Sequence, residues 1–153
     1  MAYVLEGLLL SPLPAQLAAE RGLPTVGLSG DVTLLPVTER LLGSLPGERT
    51  PASFPHEFWK LDRALEDLAQ ELSVAGRVAY IEVDFFGGTG TQDAAVWEAG
   101  ALWMPPVHTE GRGAVNAALR ALGVVPGGAL DEFEAVGLMG SGRERSTESW
   151  AKL

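Results

Sequence analysis

The sequence predicts an α+β fold, a mostly antiparallel sheet of five or six strands with two main helices packed on one face. Three observations carry this. Arg77 to Phe85 alternates apolar and polar residues with the period of a strand. Two segments, around 56–74 and 114–122, repeat apolar residues at helical spacing. Short apolar runs between them are separated by glycine, proline and aspartate sets that turn the chain.

Taken in order, Tyr3 to Leu10 is rich in large apolar residues and ends at Ser11 and Pro12, as a buried strand does. Ala15 to Arg21 suits one short helix, started by Pro14 and stopped by Gly22. Thr25 to Leu28 and Val32 to Val37 flank Ser29, Gly30 and Asp31 and read as a hairpin. Gly43 to Pro55 holds three prolines and two glycines and is a loop. His56 to Val74 is the strongest helix, with Phe58, Leu61, Leu65, Leu68 and Leu72 on one face and charged residues on the other.

In the strand that follows, Ala79, Ile81, Val83 and Phe85 face one side and Tyr80, Glu82 and Asp84 the other. A loop, Phe86 to Gln92, leads to strands at Asp93–Glu98 and Ala101–Met104, turned at Ala99 and Gly100 and broken by Pro105 and Pro106. These three strands form a meander, in which Trp97 and Trp103 are expected to pair across neighbouring strands. Ala114 to Leu122 is a helix ending at Gly123, with Val124 placed to touch Leu119 in a Schellman cap. The same pattern recurs where Phe133 can meet Leu138 around Gly137.

Residues 1–138 therefore read as one domain, with a polar tail over 139–153 that Trp150 alone suggests is docked. At 153 residues the chain buries about two thirds of the surface its unfolded form exposes. Twenty acidic against eleven basic residues give a net charge of −9, which disfavours nucleic acid and anionic membranes and favours a basic protein partner. The densest basic cluster, Arg143 and Arg145, is offset by Glu144 and Glu148. There is no cysteine, consistent with a reducing cytoplasm, and no apolar run reaches the roughly 20 residues of a spanning helix.

Chemistry-bearing residues are sparse. Glu82 and Asp84 lie two apart on one strand face, with carboxylates about 7 Å apart, and with Asp93 they form an acidic surface for a partner. Trp97 and Trp103 join them as aromatic anchors. Gly87, Gly88, Thr89, Gly90 and Gln92 resemble a phosphate-cradling loop and the GGTG core of the tubulin-type GTPase signature. The chain is too short for that GTPase, no lysine follows, and Asp84 and Asp93 flank the loop with negative charge. A hairpin turn using glycine for positive φ is the simpler reading. His56 and His108 stand in no ligand spacing, and no serine sits in a nucleophile elbow. No catalytic residue, metal or cofactor is assigned.

The stretches IEVDFFGGTGTQDAAVW, AVNAALRALGV, DEFEAVGL and RSTESW together resemble a set of small bacterial proteins of unassigned function. By analogy of size and charge, the resemblance implies an immunity-like protein beside a secreted toxin, and it carries no functional residue over. Three functions follow as expectations. The first is a non-enzymatic, cytoplasmic protein-binding domain using the acidic surface of the 80–97 hairpin. The second is a ligand- or phosphate-binding enzyme with Glu82 or Asp84 as base and a concavity beside Gly87 to Gly90. The third is a structural or assembly protein that forms homo-oligomers.

Overall fold

The apolar run at the N-terminus becomes an interior strand, β1 (Ala2–Leu10), because both of its sides are apolar and need cover. A computed structural model describes residues 2–47, 49–140 and 144–153. Around β1 stand β2 (Val26–Gly27), β3 (Thr33–Pro36), β4 (Val78–Phe86), β5 (Thr89–Glu98) and β6 (Ala101–Glu110). The sheet has six strands in the order β2-β3-β1-β4-β5-β6, each paired antiparallel to its neighbours. The α+β class and the strand number agree with the sequence reading.

The placement of the helices differs from it. α1 (Pro12–Glu20), α2 (Glu39–Ser44) and α3 (Arg63–Ser73) cover one face, where Leu8, Leu10, Leu35, Leu65, Leu72, Tyr80 and Trp97 share a core. α4 (Gly113–Ala121), α5 (Glu132–Ala135) and α6 (Thr147–Trp150) cover the other, over Leu5, Leu9, Ile81, Val83 and Val96. The two main helices, α3 and α4, thus lie on opposite faces rather than one. The reason is visible in the central strands: Tyr80 and Trp97 are as fully buried as Ile81 and Val96, so neither face can be left to water.

The long helix expected from His56 begins only at Arg63. The Asp62 carboxylate accepts the Leu65 N–H at 2.9 Å and caps the helix there, so Phe58 and Leu61 reach the same core from an irregular segment. α2 begins between the expected strand ending at Val37 and the loop expected from Gly43, and is too short to show a period; Thr38 caps it by accepting the Leu41 N–H at 3.0 Å. Both Schellman ends form, with Val124 N–H donating to Leu119 O at 3.0 Å and Leu138 N–H to Phe133 O at 3.2 Å.

β6 runs straight through Pro105 and Pro106, where a break was expected. It is the sheet's edge, where one of the two imide nitrogens faces outward, and the register shift between Ala94 and Val96 leaves Pro105 and Pro106 without ladder partners. Its register shifts twice, between Ala94 and Val96 and again between Val96 and Trp97, and the second shift leaves Trp103 without a partner opposite Trp97. Trp97 instead pairs with Leu102 and is fully buried, whereas Trp103 is half exposed, with the Arg77 guanidinium 3.8 Å from its ring centroid. The expected tryptophan pair is therefore absent.

The tail is held to the domain. Trp150 is buried in the α4-side core, and Thr147 Oγ1 accepts the Glu6 N–H at 3.0 Å while donating to the Glu6 carboxylate. Arg143, half of the basic pair noted in the sequence, lies outside the described residues. No described helix is long and apolar enough to cross a membrane.

Candidate interaction surface

Four consecutive strands bring polar side chains into one row across the α3 side of the sheet. The register sets Glu6 of β1 beside Glu82 of β4, Glu82 beside Asp93 of β5, and Asp93 beside His108 of β6. The three carboxylates are buried and His108 is exposed. A buried charge must be neutralised or hydrogen-bonded, and each of these is. Glu82 accepts the Trp59 N–H at 2.6 Å, the Lys60 N–H at 2.8 Å and the Tyr80 O–H at 2.6 Å. Lys60 Nζ lies 2.6 Å from the Glu6 carboxylate and 3.5 Å from that of Glu39.

Burial pushes the Glu82 carboxyl up, against the pull of the Tyr80 hydroxyl and the two backbone donors. Desolvation draws the Lys60 ammonium down, but the Glu6 contact outweighs it and the net shift is upward. Burial, with the Glu82 charge beside it, holds the Tyr80 phenol well above its ordinary value. Glu82, which the strand pattern set on a solvated face, is therefore an internal anchor for the 56–62 segment.

Beyond this row the same sheet face is uncovered. Asp84 and Phe86 continue β4, Thr89 is exposed and Thr91 half-buried on β5, and Glu110 ends β6 in solvent. Phe86 is 72% exposed. Trp59, whose backbone rests on Glu82, is 90% exposed, a large apolar surface to leave in water on a folded domain. Asp84, Glu57 and Glu110 give this end of the sheet negative charge, and the Lys60 cation beside it is already paired inward.

At the β6 end of the row, His108 Nδ1 lies 2.7 Å from Asp93 Oδ1 and 3.7 Å from Glu57 Oε2. The hydrogen bond to Asp93 and its charge raise the His108 imidazole above its ordinary value. With His56 and two prolines these groups line a concavity of about 290 Å³. Residues 57, 93 and 108 come from three separate segments, so no spacing in the sequence signals this grouping.

The glycine stretch is a tight turn. Gly87 and Gly88 have φ of 63° and 85°, the pair of positive values that a two-residue type I′ hairpin requires, and Phe86 pairs directly with Thr89. A Cβ at Gly90 would stand 2.0 Å from the Asp84 carbonyl oxygen, so the close ladder itself demands glycine. Gln92 is fully buried under α4, where its Oε1 accepts the Val115 N–H at 3.0 Å. A concavity of about 260 Å³ does open beside Gly88, lined by Tyr3, Phe85, Arg112, Phe133 and Arg145. It lies on the α4 side, across the sheet from Glu82 and Asp84, so neither carboxylate faces it. Arg112, which lines it, is paired with Asp131 at 3.2 Å.

Of the residues singled out in the sequence, the fold brings Glu82 and Asp93 into the polar row, leaves Asp84 on the open face, and sends Trp97 into the core and Trp103 to the far side. Trp59, Phe86, Glu57 and His108 are the surface residues that the pattern did not mark. No known protein family matches the chain, and neither a curated protein nor a solved structure matches it.

Proposed function

We propose that this protein is a non-enzymatic binding domain that takes a basic protein partner on the uncovered end of its sheet. The observation that carries the reading is two exposed aromatics, Trp59 at 90%, held over Glu82, and Phe86 at 72%, four residues further along β4, on a face whose unpaired charged side chains are acidic. Aromatic anchors inside a rim of one charge make a surface on which a few residues supply most of the binding energy and the charge steers encounter. The net charge of −9 extends the same sign over the whole molecule. An immunity-like role in the cytoplasm, neutralising a basic toxin domain, is one partner class of this chemistry.

The test compares capture from the native host by the wild-type chain, Trp59→Ala, and the double variant Asp84→Lys/Glu110→Lys. The reading expects one basic protein, retained by wild type at low salt, released by high salt and lost from both variants. Retention unchanged in the variants, or no basic protein retained by wild type, overturns it. A concentration-dependent dimer abolished by the same substitutions also overturns it, assigning the face to a second copy of the chain.

A second reading rests on the concavity beside Gly88, whose two arginines and aromatic floor suit an anionic small molecule. Thermal stabilisation by inorganic phosphate or an aromatic carboxylate, lost in Arg112→Ala, supports it. No stabilisation by either class removes it.

A further inference from the structure

We propose that His108, Asp93 and Glu57 form a binding site for a divalent transition-metal ion of the zinc class. Their donor atoms, one from each side chain, all lie within 4.8 Å of one another. Ligands of a tetrahedral ion at bond lengths of about 2.0–2.2 Å stand about 3.3–3.5 Å apart. The two His108 distances, 2.7 Å to Asp93 and 3.7 Å to Glu57, bracket that value, and the Asp93 and Glu57 donors, within 4.8 Å of each other, close on an ion by movement of the exposed Glu57 side chain.

The support is unequal in a useful way. Asp93 is buried on a strand and fixed by the ladder, whereas His108 and Glu57 are exposed and free to close on an ion. His56 lines the same concavity. Its Nδ1 accepts the Phe58 N–H at 3.0 Å, which holds the ring, and its Nε2 has no partner among the described residues. A water is the donor available for a fourth position. The imidazole nitrogen selects a borderline metal over magnesium or calcium, which prefer all-oxygen sites, and the chain has no cysteine to offer a competing thiolate site. Glu57 and Asp93 together neutralise a divalent charge, with His108 bound in its neutral form.

In the metal-free chain a proton occupies the His108–Asp93 contact at low pH, so ion and proton compete for His108 Nδ1. Binding therefore releases protons, and affinity falls as pH is lowered.

The site shares Glu57 with the acidic face, but its test is separable from the partner-binding one, because none of its donors is altered by the Asp84, Glu110 or Trp59 substitutions. The experiment is calorimetric titration of the untagged full chain with zinc chloride near pH 7.5, with magnesium chloride as comparison. The expected result is saturable binding of one ion, weakened at least about tenfold by His108→Ala and by Asp93→Asn, since loss of even an outer partner weakens such sites 10- to 100-fold. Glu57→Gln, at an exposed position, weakens it too without changing the thermal melt, which separates ligand loss from misfolding. Magnesium binds at least about a hundredfold more weakly, as its preference for oxygen requires. Absence of saturable zinc binding below millimolar concentration, or binding undiminished in both His108→Ala and Glu57→Gln, overturns the assignment.

Discussion

The two ends of the β4–β5 ladder are built from the same alternation yet meet different surroundings. At one end Val78 pairs with Trp97 and Tyr80 with Ala95, all four fully buried beneath α3. At the other, on the same face, Asp84 pairs with Thr91 and Phe86 with Thr89, and the exposed Asp84, Phe86 and Thr89 meet water. Between them stand Glu82 and Asp93. What changes along the ladder is the layer above it, because the irregular 56–62 segment stops where its amides find the Glu82 carboxylate. Alternation assigns residues to faces; it does not say how far along a face the cover extends.

The sharpest way to break this contrast is to truncate one aromatic at each end. Trp97→Ala should destabilise the domain by about 3–5 kcal/mol, the range for large core truncations. Phe86→Ala should change stability by no more than about 0.5 kcal/mol, as at an exposed position. Urea unfolding of both variants measures the difference, and equal losses would mean that the outer end is covered in solution.

A smaller effect is expected at the boundary. Glu82→Ala leaves the Trp59 and Lys60 amides and the Tyr80 hydroxyl without their acceptor, for a loss of about 2–3 kcal/mol. Asp84→Ala, two residues along the same strand, should lose almost nothing. Hydrogen exchange adds the local readout: in Glu82→Ala the Trp59 and Lys60 amides exchange faster while those of α3 stay protected. Protection retained at both amides would show that the segment is held by something other than Glu82.

The smallest effect is a titration. His108 has its folded-state value raised by Asp93, so its contribution to stability is complete below the unfolded-state value. That contribution is lost as pH rises through the higher folded-state value. In a pH series followed by nuclear magnetic resonance, the His108 ring should titrate above the ordinary imidazole value, and Asp93→Asn should bring it back toward that value. A His108 midpoint indifferent to Asp93→Asn would separate the two side chains.

Much of the fold was legible because it is local. The Leu119–Gly123–Val124 and Phe133–Gly137–Leu138 caps and the hairpin at Ser29 to Asp31 form from neighbours in sequence, and each appears in the structure. The candidate surface was legible only in part. Asp84 and Asp93 were marked by residue type, but Trp59 lies in the stretch expected to be helix and was not among the residues assigned to the surface. Its exposure follows from Asp62 ending that helix at its N-terminal side. The place of Trp103 was not legible because the Val96/Trp97 register shift leaves no mark in composition.

By itself, then, the sequence determined the class of the fold, the strands and helix caps, and the acidity that bears on any partner. These depend on period, turn residues and charge, which act over a few residues or over the whole composition. Tertiary structure alone decided that both faces of the sheet are covered and where that cover stops. It also decided that Glu6, Glu82, Asp93 and His108 form one row. Those outcomes depend on cross-strand register and on which segment packs above which strand. The groups involved are up to about a hundred residues apart along the chain, and the energy that joins them exists only after the sheet has formed.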